Sequence, residues 1–335
     1  MAAPVMSKDN DSLADMLTAL RQFTRRAPEP PAAPAVQPVR DTAAPLTPEE
    51  SAKALLAAIN RFAGFRSTAT LERKLGQVLR NVPGEEIQAL LDRVERGAQQ
   101  ELIAIVEDLT NHETFFFRDT MQLDPIARDI LPELIAYQAK HERHLRIWSA
   151  ACATGEEAYT LAVMALDALC HAGHAKFDQQ HGYRLLNGWK LDVFGSDISR
   201  QAIRIAKAAT YQESSFGSFR QMPDGWRRVF VPIGNVSGRY GNDVTNMTLL
   251  PSVRAHVRFD TFNLMSRNPP VLDMDLVLCR NVLIYIDVAR QPDAINMITR
   301  SLRKGGYFVP SLVDQINERQ LRPRWINRCA FYEKR

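Results

Sequence analysis

The sequence predicts an α/β protein with a doubly wound parallel sheet, a small all-α domain before it and a small antiparallel β-subdomain inserted into it. Three observations support this fold class. Apolar residues recur at helical spacing over 47–110, strands and helices alternate beyond residue 140, and a glycine-rich stretch near 214–254 interrupts that alternation. Alternating strands and helices are typical of right-handed crossovers between parallel strands.

The composition is that of an ordinary globular protein. The chain has 335 residues, 45% of them hydrophobic and 24% charged, with a formal net charge of +4. These values exclude a collagen-like chain, a disulfide scaffold and global disorder, and the charge surplus is too small to indicate nucleic-acid binding. Neither a signal peptide nor an apolar run of about 18 residues is evident. The four cysteines lack Cys-x-x-Cys spacing, so we expect a cytoplasmic protein with reduced thiols and without a metal. We also expect no membrane insertion, and a monomer is the default expectation because the sequence does not fix the oligomeric state.

Residues 1–46 are predicted to form an amphipathic helix and a disordered linker. Five apolar residues at helical spacing predict the helix over about 12–25: Leu13, Met16, Leu17, Leu20 and Phe23. The Pro/Ala-rich tract that follows cannot bury a core. The helix could dock on the rest of the chain, fray in solution or bind a partner, and the sequence leaves these alternatives open.

Residues 47–120 are predicted to form a helical domain and its linker. Thr47, Pro48 and Glu50 are typical of a helix start, because Thr caps, Pro suits the first turn and Glu closes the capping box. Three further amphipathic helices follow with short connections, so neighbouring helices are expected to pack antiparallel. The second helix carries a basic cluster that is either a solvated face or a docking surface for an acidic partner: Arg73, Lys74 and Arg80.

Residues 121–335 are predicted to form the α/β domain. The expected strands lie at about 145–150, 191–196, 257–262, 275–279 and 306–309, and the expected helices at about 155–170, 200–210 and 288–303. A polar Gly/His-rich excursion over 171–188 is assigned to a surface loop. The stretch of about 214–254 is assigned to the antiparallel insertion, because short β-rich pieces there alternate with glycines.

The first strand is followed by a turn that favours a cationic cofactor. An open α/β sheet binds its ligand beyond the carboxyl ends of its strands. This turn, residues 150–157, contains one glycine where a dinucleotide fingerprint needs three, and Glu156 and Glu157 would repel a phosphate at the helix start. S-adenosylmethionine carries an ammonium group and a sulfonium but no phosphate, so it is the better electrostatic match.

The later strand ends add further candidate cofactor contacts. Asp197 could accept hydrogen bonds from a ribose diol, or it could simply cap the next helix. Asn263 and Leu264 could frame an adenine with amide hydrogen bonds and one apolar face. Polar groups return to the same crevice after the fourth strand, at Cys279, Arg280 and Asn281.

Three long motifs occur in the chain in a fixed order: NHETFFFRD over 111–119, RIWSAACATGEEAY over 146–159 and LCRNVLIYID over 278–287. Together they resemble the chemotaxis-receptor glutamate methyltransferases of the CheR type. The resemblance implies a Rossmann-like S-adenosylmethionine-dependent methyltransferase domain with a β-subdomain insertion. It also implies S-adenosylmethionine as methyl donor and S-adenosylhomocysteine as product. The implied substrate is a glutamate side chain on the cytoplasmic helical bundle of a methyl-accepting chemoreceptor.

The resemblance further implies roles for individual residues. The candidate catalytic residues are Arg118 and Tyr285, although these could instead be an ion-pair partner and a buried turn residue. Cys279 and Arg280 are expected to contribute chiefly through their backbone. The candidate cofactor-binding residues are His112, Thr114, Arg118, Glu156, Glu157, Asp197, Asn263, Leu264, Cys279, Arg280 and Asn281.

The chain departs from the family's pattern at two places. His112 stands where the family often has Asn, and Val309-Pro-Ser-Leu-Val-Asp-Gln stands where the family usually has Gly-His-Ser-Glu after its Gly-Gly-Tyr strand. These departures leave a second function open, a non-catalytic S-adenosylmethionine-binding regulator or scaffold of a chemosensory pathway. A nucleotide-dependent oxidoreductase is disfavoured by the missing glycines.

Overall fold

A computed structural model describes residues 46–97, 99–109, 113–214, 217–237 and 243–335. The helix and linker predicted for residues 1–46 lie outside the described residues, apart from residue 46 itself. The chain divides into two compact units. One is the part before residue 112 together with Tyr285–Asp287, and the other comprises His112–Ile284 and Val288–Arg335.

The first unit contains the predicted helices, which are α1 (Pro48–Ala63), α2 (Ala69–Leu79), α3 (Gly84–Glu95) and α4 (Gln99–Leu109). The capping box at the start of α1 is present, since the Thr47 hydroxyl accepts from the Glu50 amide at 3.2 Å and the Glu50 carboxylate accepts from the Thr47 amide at 2.8 Å. Gly64 ends α1 with a left-handed φ of 67°. The Tyr285–Asp287 segment joins this unit through a bridge between Phe65 and Ile286.

The second unit combines helices with β-strands. Its helices are α5 (Thr120–Pro125), α6 (Leu131–Ala139), α7 (Glu156–His171), α8 (Arg200–Ala208), α9 (Pro251–Arg254) and α10 (Gln291–Ser301). Its strands are β1 (His144–Ala150), β2 (Ala175–Asp178), β3 (Gly182–Leu185), β4 (Lys190–Asp197), β5 (Thr210–Glu213), β6 (Phe230–Ser237), β7 (Asp243–Leu249), β8 (Val257–Thr261), β9 (Met274–Cys279), β10 (Leu302–Pro310), β11 (Leu321–Ile326) and β12 (Cys329–Lys334).

Seven of these strands form the central sheet in the order β11-β12-β10-β9-β1-β4-β8. The pairs of β1 with β4 and β9, of β4 with β8 and of β9 with β10 are parallel, whereas β12 runs antiparallel to both of its neighbours. The strand order therefore reverses at β1, which makes the ends of β1, β4 and β9 the switch point where ligands bind. The predicted doubly wound sheet is confirmed.

Two antiparallel insertions interrupt the alternation. The strands β5, β7 and β6 form the small antiparallel sheet that the glycine-rich stretch predicts. The prediction of a surface loop over 171–188 is wrong, because β2 and β3 form an antiparallel hairpin there. Its Phe177 and Tyr183 rings lie 4.7 Å apart, and the buried Tyr183 donates its hydroxyl hydrogen to Asp167 of α7. Aromatic packing onto the sheet-covering helix outweighs the polar composition of the segment.

The end of the chain forms a hairpin of β11 and β12 against β10. The sequence Val309-Pro-Ser-Leu-Val-Asp-Gln, which departs from the family pattern, leaves this hairpin intact. In the part of the chain that the structure describes, no helix is both long and apolar enough to cross a bilayer.

Candidate cofactor site

The turn between β1 and α7 is the first component of the site. Ala151, Ala153 and Gly155 all have positive φ, at 61°, 47° and 96°. A Cβ on Gly155 would lie 2.8 Å from the Cβ of Ala206, so only glycine fits this left-handed position against α8. The turn is consequently compact, and it brings the start of α7 close beside the end of β4.

Asp197 connects this turn to the end of β4. Its side chain is buried and its two carboxylate oxygens accept from the backbone amides of Ala153 and Ser199, each at 2.9 Å. Ser199 in turn caps α8, because its hydroxyl accepts from the Ala202 amide at 3.0 Å. Asp197 therefore lies at the end of β4, where the sequence predicts it, and its carboxylate connects the turn after β1 to the start of α8.

Glu156 points away from the solvent side of the turn. It is 2% exposed, and its carboxylate accepts from the hydroxyls of Thr154 at 2.6 Å and Ser218 at 2.7 Å. Burial raises the pKa of the Glu156 carboxyl above its ordinary value. A buried carboxylate is costly to ionise, and the hydrogen bonds that Glu156 accepts offset only part of this cost.

This burial predicts a pH-dependent effect of Glu156→Gln. The pKa of the Glu156 carboxyl is higher in the folded state than in the unfolded state, so the fold favours the protonated form. The stability that this carboxyl contributes is therefore fully present below its unfolded-state pKa, and it is lost as the pH rises through the folded-state pKa. We expect Glu156→Gln to raise the melting temperature near pH 8 by about 2–4 °C, and the gain to shrink as the pH falls toward 5. Thermal unfolding of both proteins across this range measures it; a gain that does not depend on pH would contradict the assignment.

Glu157 forms a buried ion pair with Arg280. One carboxylate oxygen accepts from the Ser149 hydroxyl at 2.7 Å, and the other accepts from Nε of Arg280 at 2.7 Å. The Arg280 side chain is 2% exposed. The turn is therefore less anionic than the sequence indicates, because Arg280 offsets one of its two glutamates and the other is buried.

The segment 113–119 carries Arg118 and Thr114. Nη1 of Arg118 donates to the carbonyl of Glu113 at 2.7 Å, and its guanidinium lies 5.7 Å from the centre of the Phe115 ring. No carboxylate of the described ranges lies within ion-pair distance of Arg118. Thr114 is half-buried, and His112 lies outside the described residues. The Arg118 guanidinium thus keeps its capacity to bind an anion.

The remaining candidates lie at the ends of β8 and β9. The Phe262 amide donates to the Asp197 carbonyl at 2.8 Å, which places Asn263 and the buried Leu264 beside the end of β4. Cys279 is fully buried, and burial raises the pKa of its thiol. Asn281 has a left-handed φ of 59°, and its amide donates to the Ser311 hydroxyl at 2.5 Å. These contacts bring the loops after β8 and β9 to the predicted edge of the sheet.

Tyr285 ends a short 3₁₀ turn that begins at Leu283. The residue is half-buried, and its carbonyl accepts from the Arg66 amide at 2.8 Å. It belongs to the first unit by its contacts. Its catalytic role stays a prediction.

The sequence did not indicate the roles of three side chains of the site. Ser149 and Ser218 were not candidates at all, and Arg280 was a candidate chiefly for its backbone. Ser218 lies in the antiparallel insertion and Ser149 in the middle of a strand motif, and neither position carries a pattern that indicates Glu156 or Glu157 as its partner. Arg280 stands inside the long motif after β9, which marked the position but not the direction of its side chain.

The site presents carboxylates and backbone groups at the edge of the sheet rather than a glycine-rich phosphate-binding turn. Asp197 lies at the end of β4, Glu156 and Glu157 lie at the glycine-poor turn, and the Arg280 guanidinium is paired with Glu157. Across the described ranges, no group of three His, Cys, Asp or Glu side chains could hold a metal ion. A doubly wound sheet with such a turn at its switch point defines a Rossmann-like domain of the methyltransferase class.

Comparison with known proteins agrees with this class. Residues 112–322 match the family model described as the CheR methyltransferase, SAM binding domain. Chemotaxis protein methyltransferase 1 of Pseudomonas aeruginosa is 31% identical over 234 residues, which are 70% of this chain and 76% of that protein. A chemotaxis protein methyltransferase of Vibrio parahaemolyticus is 31% identical over 66% of this chain and 71% of its own length. A solved TehB-like SAM-dependent methyltransferase from Corynebacterium glutamicum aligns with 64% of this chain and 96% of its own, at 14% identity and a TM-score of 0.32.

The chain belongs to the CheR methyltransferase family. It is an S-adenosylmethionine-dependent methyltransferase, and S-adenosylmethionine is its cofactor. The cofactor predicted from the glycine-poor, acidic turn is confirmed.

Proposed function

We propose that the protein methylates glutamate side chains on the cytoplasmic helical bundle of methyl-accepting chemoreceptors. The products are glutamyl methyl esters and S-adenosylhomocysteine, and the process is adaptation in chemotaxis-like signalling. The match of residues 112–322 to the family's cofactor-binding domain carries this proposal, and the curated relatives named chemotaxis protein methyltransferase support it. The protein would act in the cytoplasm as a monomer, without nucleic acid.

Methyl transfer to a carboxylate requires the two reacting groups to be positioned, and it does not require a general base. A glutamate carboxylate has an ordinary pKa of about 4.3 and is ionised at neutral pH. S-adenosylmethionine supplies a methyl group that its sulfonium already activates. The protein must hold the carboxylate in line with that methyl, and such proximity can contribute about 7–11 kcal/mol.

Arg118 is the proposed group that orients the substrate carboxylate. Its guanidinium has no carboxylate partner in the described ranges, so it can form a bidentate pair with an incoming one. The negative charge of the substrate disappears as the ester forms, so a very tight pair would stabilise the ground state. Tyr285 is proposed to donate a hydrogen bond near the reacting centre, on the strength of its motif.

Two residues, Cys279 and Arg280, are proposed to bind the cofactor chiefly through their backbone groups. The other residues proposed to bind it are Thr114, Arg118, Glu156, Glu157, Asp197, Asn263, Leu264 and Asn281. Asp197 accepts hydrogen bonds in its observed position, and it would accept those of the ribose hydroxyls there. His112 is also proposed, from the motif alone.

A methyl-acceptor assay tests the proposed function. The protein is incubated with methyl-labelled S-adenosylmethionine and with membranes from cells that express candidate receptors. We expect label in the receptor band that is released as methanol by mild base, because carboxyl methyl esters hydrolyse there. Receptors whose acceptor glutamates are replaced by alanine are the control.

Binding of S-adenosylhomocysteine without base-labile transfer to any receptor would contradict the enzymatic proposal. It would instead support the second function, a cofactor-binding regulator or scaffold.

A further inference from the structure

The Arg280 guanidinium joins three parts of the second unit. Nε donates to the Glu157 carboxylate at 2.7 Å, and Nη1 donates to the backbone carbonyl of Arg118 at 2.9 Å. Nη1 also lies 3.8 Å from the carboxylate of Asp119. With 2% of its side chain exposed, Arg280 has no surface left for a ligand.

The segment that receives this guanidinium has an unfavourable backbone conformation. Phe117 and Asp119 flank Arg118 and have left-handed φ angles of 59° and 60°. Residues with a Cβ rarely adopt this region, and they remain there only where their surroundings hold them. The Thr160 hydroxyl accepts from the Phe117 amide at 3.2 Å on one side of Arg118, and Arg280 holds the Arg118 carbonyl itself.

We propose that Arg280 is a positioning residue: its guanidinium, oriented by Glu157, fixes the backbone of Arg118 and thereby aims the Arg118 side chain at the substrate carboxylate. This inference rests on the proposed function for the role of Arg118. It assigns the Arg280 side chain a role in addition to the backbone contribution that the motif implies. Glu157 contributes to the same positioning, because its carboxylate sets the direction in which the guanidinium of Arg280 points.

Arg280→Lys is the informative variant. Lysine keeps the positive charge beside Glu157, but a single ammonium cannot reproduce the planar fork that reaches two acceptors in different directions. We expect turnover to fall about 10- to 100-fold. We also expect faster amide deuterium uptake in the peptide covering 113–119, a measurement that needs no methyl acceptor.

Arg303→Lys is the matched control. Arg303 forms another buried ion pair of the same unit, with Nε 2.5 Å from the Asp275 carboxylate and side-chain exposures of 12% and 0%. Its substitution should lower stability in a similar way without changing deuterium uptake in 113–119. Glu157→Gln is the second variant, and it should increase uptake in 113–119 because it removes the charge that orients Arg280.

A double-mutant cycle with Arg118→Ala separates positioning from a general structural role. If Arg280 acts through Arg118, adding Arg280→Lys to Arg118→Ala should lower turnover by less than about threefold further. If the double variant instead loses turnover by the product of the two single-variant losses, the inference is wrong. Unchanged deuterium uptake in the 113–119 peptide of Arg280→Lys would also overturn it. A wild-type protein that methylates no acceptor would refute the proposed function alone, because the deuterium measurement still decides the role of Arg280.

Discussion

Replacing Arg118 by alanine is expected to lower the turnover of methyl transfer by about 100- to 1,000-fold while the fold stays intact. The guanidinium contacts the Glu113 carbonyl and the Phe115 ring, neither of which is charged, so its removal leaves no buried charge behind. The loss would arise because the substrate carboxylate is no longer held in line with the methyl group. Single-turnover transfer from labelled S-adenosylmethionine measures it, and circular dichroism checks the fold.

Arg220→Ala provides the matched control for this prediction. The Arg220 guanidinium lies 3.9 Å from the centre of the same Phe115 ring and pairs with Glu113 at 2.8 Å. If the loss in Arg118→Ala came from disturbed packing around Phe115, Arg220→Ala would show it too. We expect instead less than about a threefold change. A methyl-transfer rate close to that of the wild type in Arg118→Ala would show that Arg118 does not orient the substrate carboxylate.

The parts of the fold that local chemistry dictates could be predicted from the sequence. The start of α1 follows from Thr47, Pro48 and Glu50, because a capping box is closed within one helical turn. The order of strands and helices follows from the change in apolar period, and the position of the ligand-binding edge follows from that order. Asp197 could be assigned to the edge for the same reason, since it comes directly after a predicted strand.

Contacts between distant parts of the chain could not be predicted in this way. Arg280 and Glu157 are separated by 123 positions, and nothing in either local pattern indicates the other. The same holds for Ser218, which binds Glu156 from within the antiparallel insertion. The hairpin of β2 and β3 could not be predicted because the polar composition of this segment indicates a loop. The hairpin is held on α7 by a contact between distant positions, in which the Tyr183 hydroxyl donates to Asp167 of α7. Tertiary contacts decide the structure in each of these cases.

Asp197→Ala is expected to weaken S-adenosylhomocysteine binding about 100-fold or more. Two losses contribute. The ribose would lose a charged acceptor, and hydrogen bonds to charged groups contribute about 1.5–3 kcal/mol each. The Ala153 and Ser199 amides would lose their acceptor as well, and Ala153 has a left-handed φ of 47° that this hydrogen bond helps to hold.

Asp192→Ala separates these effects from a general disturbance of β4. Asp192 lies toward the other end of the same strand, its side chain is 61% exposed, and it pairs with His144 at 2.7 Å. Exposed pairs contribute little, so the dissociation constant should change by less than about twofold. Titration calorimetry with S-adenosylhomocysteine compares the two variants at one pH. If Asp197→Ala unfolds cooperatively yet binds within about threefold of the wild type, the ribose is held elsewhere, and the assignment of this edge of the sheet to the cofactor loses its main support.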